Sequence, residues 1–297
     1  FQGRDVTVQD VFEGVGAVAS GRMSKEELAE LESKACPGAG ACGGQFTANT
    51  MAMALTFLGV SPHWVSDLPA MHPKKDEAAF EAGQLVMKAL KSKRKLSTVV
   101  TKRSLENAAA SVAASGGSTN AVLHLLALAK EFGLDFDLDD FERVAARTPV
   151  LADMKPGGRF TAPDLYDAGG TMLLASRLLE AGLLHDEDTV FGRSIAELCR
   201  EAEETPEQEV IRALNAPLKE RGGIAVLKGT LAPEGCVVKL CGHGKMSHEG
   251  PARVFDCEED AFTSVQAGFV QPGDVIVIRY EGPRGGPGMR EMLAVTA

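Results

Sequence analysis

The spacing of apolar residues changes character once along the chain, and that change constrains the fold more than any other feature. Up to Leu214 the pattern is helical. Thr7 with Asp10, and Ser24 with Glu27, form capping-box signatures ahead of runs reaching Val18 and Ala35. Phe46 to Leu58, closed by Gly59, predicts a third helix. Lys74 to Leu90 predicts a fourth, with Ala78, Leu85, Val86 and Ala89 on its apolar face and Gly83 inside it. Further helices are predicted over Leu105 to Ala114, Thr119 to Phe132 and from Asp137 through Ala145. Another opens at Thr161-Ala162-Pro163, breaks at Gly169-Gly170 and runs on to Leu179; Ser194 to Ala202 and Thr205-Pro206 to Leu214 complete the set. After Asn215-Ala216-Pro217 and Gly222-Gly223 the pattern becomes that of strands, at Ile224 to Leu227, Cys236 to Leu240, Ala252 to Phe255 and Val275 to Tyr280, with one helix at Glu258 to Gln266.

The expected organisation is a helical portion over 1–215 and a smaller β-rich domain over 216–297. At about 150 residues per domain, 297 residues carry two domains, each able to bury a core of its own. So many helices with hardly a strand beside them imply partner strands in sequence outside these residues. The chain opens at Phe1 without Met and stops soon after Met289, so both ends read as cut from something longer.

Forty-one acidic against 31 basic residues leave a net charge of −10, which repels phosphate backbones and argues against a nucleic-acid partner. The longest apolar stretch, Met51 to Val60, contains Thr56 and Gly59 and is far short of a membrane span. Six cysteines are too few for a disulfide scaffold, so the expected compartment is a reducing cytosol, or an organelle in a eukaryote. Glycine, at 32 residues, exceeds its usual share of about 7%, which points to tight loops and close backbone approaches.

Cys36-Pro37-Gly38-Ala39-Gly40-Ala41-Cys42-Gly43-Gly44 is the densest such run, and it leads straight into the helix after Phe46. A cysteine at a helix N-terminus has its thiolate favoured by unpaired N–H groups and the helix dipole, which suits a nucleophile or a ligand to iron. The plain alternative is a pair of buried free thiols flanking a loop. Gly116-Gly117-Ser118-Thr119-Asn120 separates two helices; Ser118 or Thr119 can cap the second, and its free N–H groups suit a carboxylate or phosphate. His124 falls in that helix's apolar run and reads as a core histidine.

The third run, Arg279 to Glu291, brings a strand into a Gly/Pro loop. Glu281 and Glu291 there suit a hard cation, and Arg279, Arg284 or Arg290 suit a carboxylate, against the alternative of surface ion pairs. Cys236, Cys241, His243 and His248 hint at a further metal cluster, but burial of Cys236 at a strand edge and a solvated turn for the histidines account for them without one.

Together the stretches KACPGAGACGGQFTANTMAMAL, ASGGSTNAVLHLLALA, GGIAVLKGTLAPEGCVVK and VIVIRYEGPRGGPGMREML resemble the dihydroxy-acid dehydratases, within the wider family that includes 6-phosphogluconate and sugar-acid dehydratases. The matches run in order from residue 34 to residue 293. The resemblance implies an α/β fold with a barrel-like β-rich part, and a hydro-lyase that removes water from 2,3-dihydroxy-3-methyl acids to give 2-oxo acids in valine, isoleucine and leucine biosynthesis. It implies an iron–sulfur cluster, [2Fe–2S] ahead of [4Fe–4S], with an open iron acting as Lewis acid on the departing 3-hydroxyl, and Mg²⁺ holding the carboxylate and 2-hydroxyl.

By motif position Cys42 matches the cluster-ligating cysteine and Glu291 a magnesium-ligating glutamate, the two expected to face one cavity; Cys36 lies in the same motif without being the usual ligand. Gln45 stands where methionine is commoner. The family's further cluster cysteines, its aspartate pair and carboxylated lysine, and its serine general base are expected before Phe1 or beyond Ala297, so the 297-residue piece alone is expected to be inactive. A homodimer or dimer of dimers is likewise implied. A sugar-acid or 6-phosphogluconate dehydratase is the alternative within this chemistry, and a non-catalytic iron–sulfur or anion-binding module the alternative outside it.

Overall fold

The computed structural model describes residues 1–36, 38–40, 42–240, 247–282 and 292–296. The chain forms two compact units, one of Gly38–Gly242 and a smaller one that joins Phe1–Pro37 to His243–Ala297. Its fold is mixed α and β, with helices dominating the N-terminal part.

The smaller unit opens with α1 (Val8–Ala19) and α2 (Lys25–Ser33), which pack on each other. Both start at the predicted capping boxes: the Asp10 carboxylate accepts from the Thr7 N–H at 2.7 Å, and Ser24 and Glu27 bond each other's backbone N–H.

The larger unit contains α3 (Thr47–Phe57), α4 (His63–Ser66), α5 (Lys75–Lys91), α6 (Lys102–Ser115), α7 (Asn120–Glu131), α8 (Leu138–Arg147), α9 (Ala162–Ala168), α10 (Gly170–Glu180) and α11 (Ile195–Cys199). Helix α6 is its axis. Thr101 caps it, accepting from the Ser104 N–H at 3.0 Å, which starts the helix three residues ahead of the predicted Leu105. Between Ser104 and Ser115 every residue but Glu106 is buried, and most are alanine or serine, so α3, α7 and α8 approach it closely. Its buried polar groups are satisfied: Ser111 and Ser115 donate to carbonyls of their own helix, and Asn107 exchanges two 2.8 Å bonds with the His185 backbone. Gly116 ends the helix in the left-handed region (φ 57°). The core spreads from this axis through Phe57, Leu105, Leu125, Phe141, Leu151, Leu174 and Leu198.

The antiparallel pair β1 (Ile224–Leu227) and β2 (Cys236–Lys239) packs on α8 in register Ile224↔Lys239. Gly222 makes that approach possible: its N–H donates to Ala145 O at 3.0 Å, and a Cβ there would meet Ala145 O at 2.7 Å and Ala113 Cβ at 2.8 Å.

Two expectations change. Thr205 to Leu214 is not a helix. Asp153 N–H donates to Val210 O and Arg212 N–H to Leu151 O, both at 2.8 Å, and the Gln208 side chain bonds both backbone groups of Ile211. Those bonds hold 210–212 extended beside 151–153, so tertiary pairing overrides local helix propensity. Val86 is the second: it lies on the solvent side of α5, whereas Ala78 is buried and Leu85 and Ala89 are half-buried.

In the remainder of the smaller unit β3 (Ala252–Phe255) pairs in parallel with β4 (Val275–Ile278), Ala252↔Val275, across α12 (Glu258–Gln266), as a crossover helix requires. Helix α13 (Leu293–Thr296) packs with α1 and α12, and the Ala294 N–H donates to Glu258 Oε1 at 3.3 Å.

Candidate functional site

Cys42 sits in a short loop that enters α3, and the loop is pinned from three sides. Gln45 N–H donates to Lys155 O, and Ala162 N–H to Gly43 O, each at 2.7 Å. The buried Gln45 side chain donates to Ser115 Oγ at 3.0 Å and lies 3.6 Å from Met53 Sδ, so the residue standing in place of the commoner methionine ties the loop to the end of α6. The third tie is Asn49, in the first turns of α3. Its Nδ2 donates to Gly44 O at 2.7 Å and to Cys42 O at 2.9 Å, with Cys42 Sγ a more distant acceptor at 3.5 Å.

A second helix start meets this one. Thr47 Oγ1 is 3.2 Å from Ser118 Oγ and accepts from Asn120 Nδ2 at 2.9 Å, and the Ser118 N–H donates to Thr50 Oγ1 at 3.0 Å. As expected, Ser118 serves the start of α7, its Oγ accepting from the Asn120 N–H at 3.2 Å, whereas Phe46 offers α3 no side-chain cap. The Ser118-Thr119-Asn120 run, separate from the Cys42 loop in sequence, is therefore brought beside it in the fold.

The other sulfurs differ. Cys36 is exposed, which removes the reading of two buried thiols. Cys199 is buried, and burial pushes its thiol up to about 12, so it is unreactive. Cys236 is exposed rather than buried, because the first residue of β2 lies at the loop end of the hairpin, opposite the exposed Leu227. Glu281 accepts from the Glu258 N–H at 3.0 Å and so caps α12. Arg279 is engaged with the Asp256 carboxylate at 2.6 Å, the plain surface pairing. Glu291, Arg284, Arg290, Cys241 and His243 lie outside the described residues.

Among the described residues no three His, Cys, Asp or Glu side chains converge as a metal site. Cys42 accordingly fits a cluster as one ligand of a larger set: the residue is half-buried, its loop is fixed by backbone bonds, and its thiol makes only long contacts of 3.5 Å with Gly44 O and Asn49 Nδ2 among those described.

A cleft of about 840 Å³ elsewhere in the larger unit holds a different pair of titratable groups, His63 and Asp67, at the two ends of α4. Asp67 caps α10, accepting from Thr171 N–H at 2.7 Å and from its hydroxyl at 2.5 Å. Burial outweighs these bonds and pushes its carboxyl up to about 6. Burial pushes His63 down, and its Nδ1 has no hydrogen-bond partner. For Asp67 the folded state holds the proton more tightly than the unfolded chain. Its contribution is therefore fully present below pH 3.8 and lost as pH rises through 6. Asp67→Asn keeps an acceptor for Thr171 without the charge. It is expected to exceed wild type by about 1–2 kcal/mol at pH 7.5 and to lose that advantage toward pH 4, as urea unfolding at the two pH values will read; His63 is common to both proteins and cancels.

The dihydroxy-acid/6-phosphogluconate dehydratase N-terminal family matches residues 2–198, and its C-terminal counterpart residues 209–297. Among curated relatives, the dihydroxy-acid dehydratase of Koribacter versatilis is 58% identical over 298 residues, covering 100% of this chain and 52% of its own. That of Thermus thermophilus is 54% identical over 299 residues, 100% of this chain and 54% of its own. That of Haloarcula marismortui is 50% identical over 300 residues, 99% of this chain and 52% of its own. The chain thus spans about half the length of the curated relatives it matches. With both of its parts matched in order, the chain belongs to the dihydroxy-acid/6-phosphogluconate dehydratase family.

Proposed function

We propose that this chain is part of a hydro-lyase that removes water from 2,3-dihydroxy-3-methyl acids to give 2-oxo acids, in the biosynthesis of valine, isoleucine and leucine. What carries the reading is identity of 50–58% along essentially the whole chain to proteins named dihydroxy-acid dehydratase. The Cys42 loop supports it with a half-buried thiol held beside two helix starts.

An iron–sulfur cluster, [2Fe–2S] ahead of [4Fe–4S], and Mg²⁺ supply Lewis acidity toward a departing hydroxide and neutralise a neighbouring carboxylate when bound. Toward that chemistry Cys42 offers one thiolate, and Asn49 fixes the two carbonyls on either side of it. Glu291 is assigned to Mg²⁺. The first N–H groups of α7 are taken up by Ser118 and Thr119, so that helix start contributes its dipole to the neighbourhood of the thiol and no free donor. No residue of this chain is assigned as the base that takes the C2 proton.

The test is Cys42→Ser in an intact family enzyme carrying this chain, reconstituted anaerobically with iron and sulfide. The variant is expected to lose most of the visible absorption of the cluster and at least about a hundredfold in dehydration of 2,3-dihydroxyisovalerate. The 297-residue chain alone is assayed beside it and is expected to show no turnover. A cluster of unchanged stoichiometry after the substitution removes Cys42 from the ligand set, and a cluster without dehydration in the wild type favours a binding module. Preference for a sugar acid or 6-phosphogluconate in the same assay assigns the alternative substrate class within the family.

A further inference from the structure

The cleft of about 840 Å³ beside α4 carries an unbalanced set of charges. Its acids come from separate stretches of the larger unit: Glu77 and Glu81 from α5, Asp167 from the end of α9, and Glu201 and Glu203 from the segment after α11. Two charges cancel, because Arg193 clamps the Glu201 carboxylate through both terminal guanidinium nitrogens, at 2.6 and 2.8 Å. Asp67 is spent on Thr171. That leaves Glu77, Glu81, Asp167 and Glu203, none of which makes an ion pair among the described residues, against the single unpaired ammonium of Lys74. Helix electrostatics account for only one of the four. Glu77 lies in the first turn of α5, where an acid complements the dipole, but Glu81 is a turn further in, and Asp167 is the last residue but one of α9, where an acid opposes it.

Two other polar groups of the cleft are unserved. The Tyr166 hydroxyl has no hydrogen-bond partner among the described residues, and His63 Nδ1 is buried without one. Burial pushes His63 down, so the imidazole adds no positive charge at neutral pH. A bare divalent ion does not fit, since no three acidic or imidazole side chains converge among the described residues. A compact ammonium would meet one group of acids and leave the others unpaired. Much of the remaining lining is aromatic or apolar, from Trp64, Tyr166, Leu68, Ala78 and Met172. We propose that this cleft binds a linear polyamine, its ammonium groups on carboxylates of separate elements and its methylene chain along Trp64 and Tyr166. Aromatic faces attract ammonium groups and pack against the CH₂ groups between them. A single exposed ion pair is worth little, so a ligand carrying several linked charges gains where a monoamine does not. None of these residues belongs to the Cys42 loop, so this inference stands or falls apart from the proposed activity.

Isothermal titration calorimetry with spermidine tests this on the chain itself, at fixed ionic strength and with far-UV circular dichroism as the check on folding. Wild type is expected to bind one equivalent with a Kd below about 1 mM, and n-butylamine at least about tenfold more weakly. Glu81→Gln and Asp167→Asn alter exposed positions on different helices. Each is expected to weaken spermidine about threefold, and the two together about tenfold. Glu26→Gln with Glu32→Gln removes the same charge from the exposed surface of α2 and is expected to leave the affinity unchanged. Absence of binding by wild type, equal affinity for n-butylamine, or equal weakening by the α2 pair overturns the proposal. So does binding by the chain that is lost in an intact family enzyme carrying it, since another part of the longer protein then fills the cleft.

Discussion

Replacing Asn49 with leucine is expected to release the Cys42 loop while leaving the core of the larger unit intact. The side chain is similar in size, but the amide protons that serve Cys42 O and Gly44 O, and approach Cys42 Sγ, are gone. Two part-buried carbonyls then lack their donors, at about 1 kcal/mol each or somewhat more, so a loss of about 2–3 kcal/mol in urea unfolding is expected. Hydrogen exchange locates the effect. Amides of Gly43 to Phe46 should exchange at least about tenfold faster, and those of Ala108 to Ala113 in α6 no faster than the change in global stability allows. If Cys42 ligates iron, an intact enzyme carrying the substitution should also lose about 10–100-fold in metal retention.

A second large effect is expected outside the Cys42 loop. Gly222→Ala adds one methyl at the point where β1, α6 and α8 converge, and the new carbon would lie 2.7 Å from Ala145 O, 2.8 Å from Ala113 Cβ and 3.2 Å from Thr148 O. Two of those atoms are backbone and the third is a methyl fixed to a buried helix, so relief requires moving an element rather than a rotamer. A loss of about 3–4 kcal/mol is expected, visible as a lower urea midpoint at unchanged slope; a loss under about 1 kcal/mol would mean that β1 shifts freely on α8.

Much of this fold is written locally. Wherever a helix start depends on one side chain reaching a backbone N–H three residues away, as at Ser24, Thr101, Asp137 and Ser194, the residues that decide it are adjacent in sequence. Helix α12 also falls at the predicted bounds, from its apolar spacing, although its first N–H is served by Glu281, 23 positions away. The failures share the opposite property. Thr205 to Leu214 has acceptable helix residues, but its conformation is set by hydrogen bonds to 151–153, some 60 positions away. Val86 fits an apolar face by spacing, yet which side of α5 turns inward depends on what packs against it.

The candidate site divides in the same way. Cysteines and glycines concentrate visibly around Cys42, whereas the residues that hold the loop do not announce themselves. Asn49 lies between Thr47 and Thr50 in the first turns of α3, where a polar side chain serves the backbone or a ligand, and nothing in that local pattern singles it out. Gln45 stands out in the sequence only as a departure from the commoner methionine, and its bond to Ser115 spans 70 positions. The meeting of Thr47 with Ser118 and Asn120 spans more than 70 positions, beyond any local pattern.

The crowding around α6 bears on how this protein can change. A helix whose flanks are alanine and serine leaves no slack: its last residue, Ser115, receives the Gln45 amide, and Gln45 is three positions from the Cys42 sulfur. An enlargement along α6 would thus be passed to the thiol's surroundings through a hydrogen bond instead of being absorbed by side-chain rearrangement. Searches for variants with altered chemistry would do better to leave that axis as it is and to diversify the outer side of the glycine loop, where Gly38, Ala39 and Gly40 face solvent.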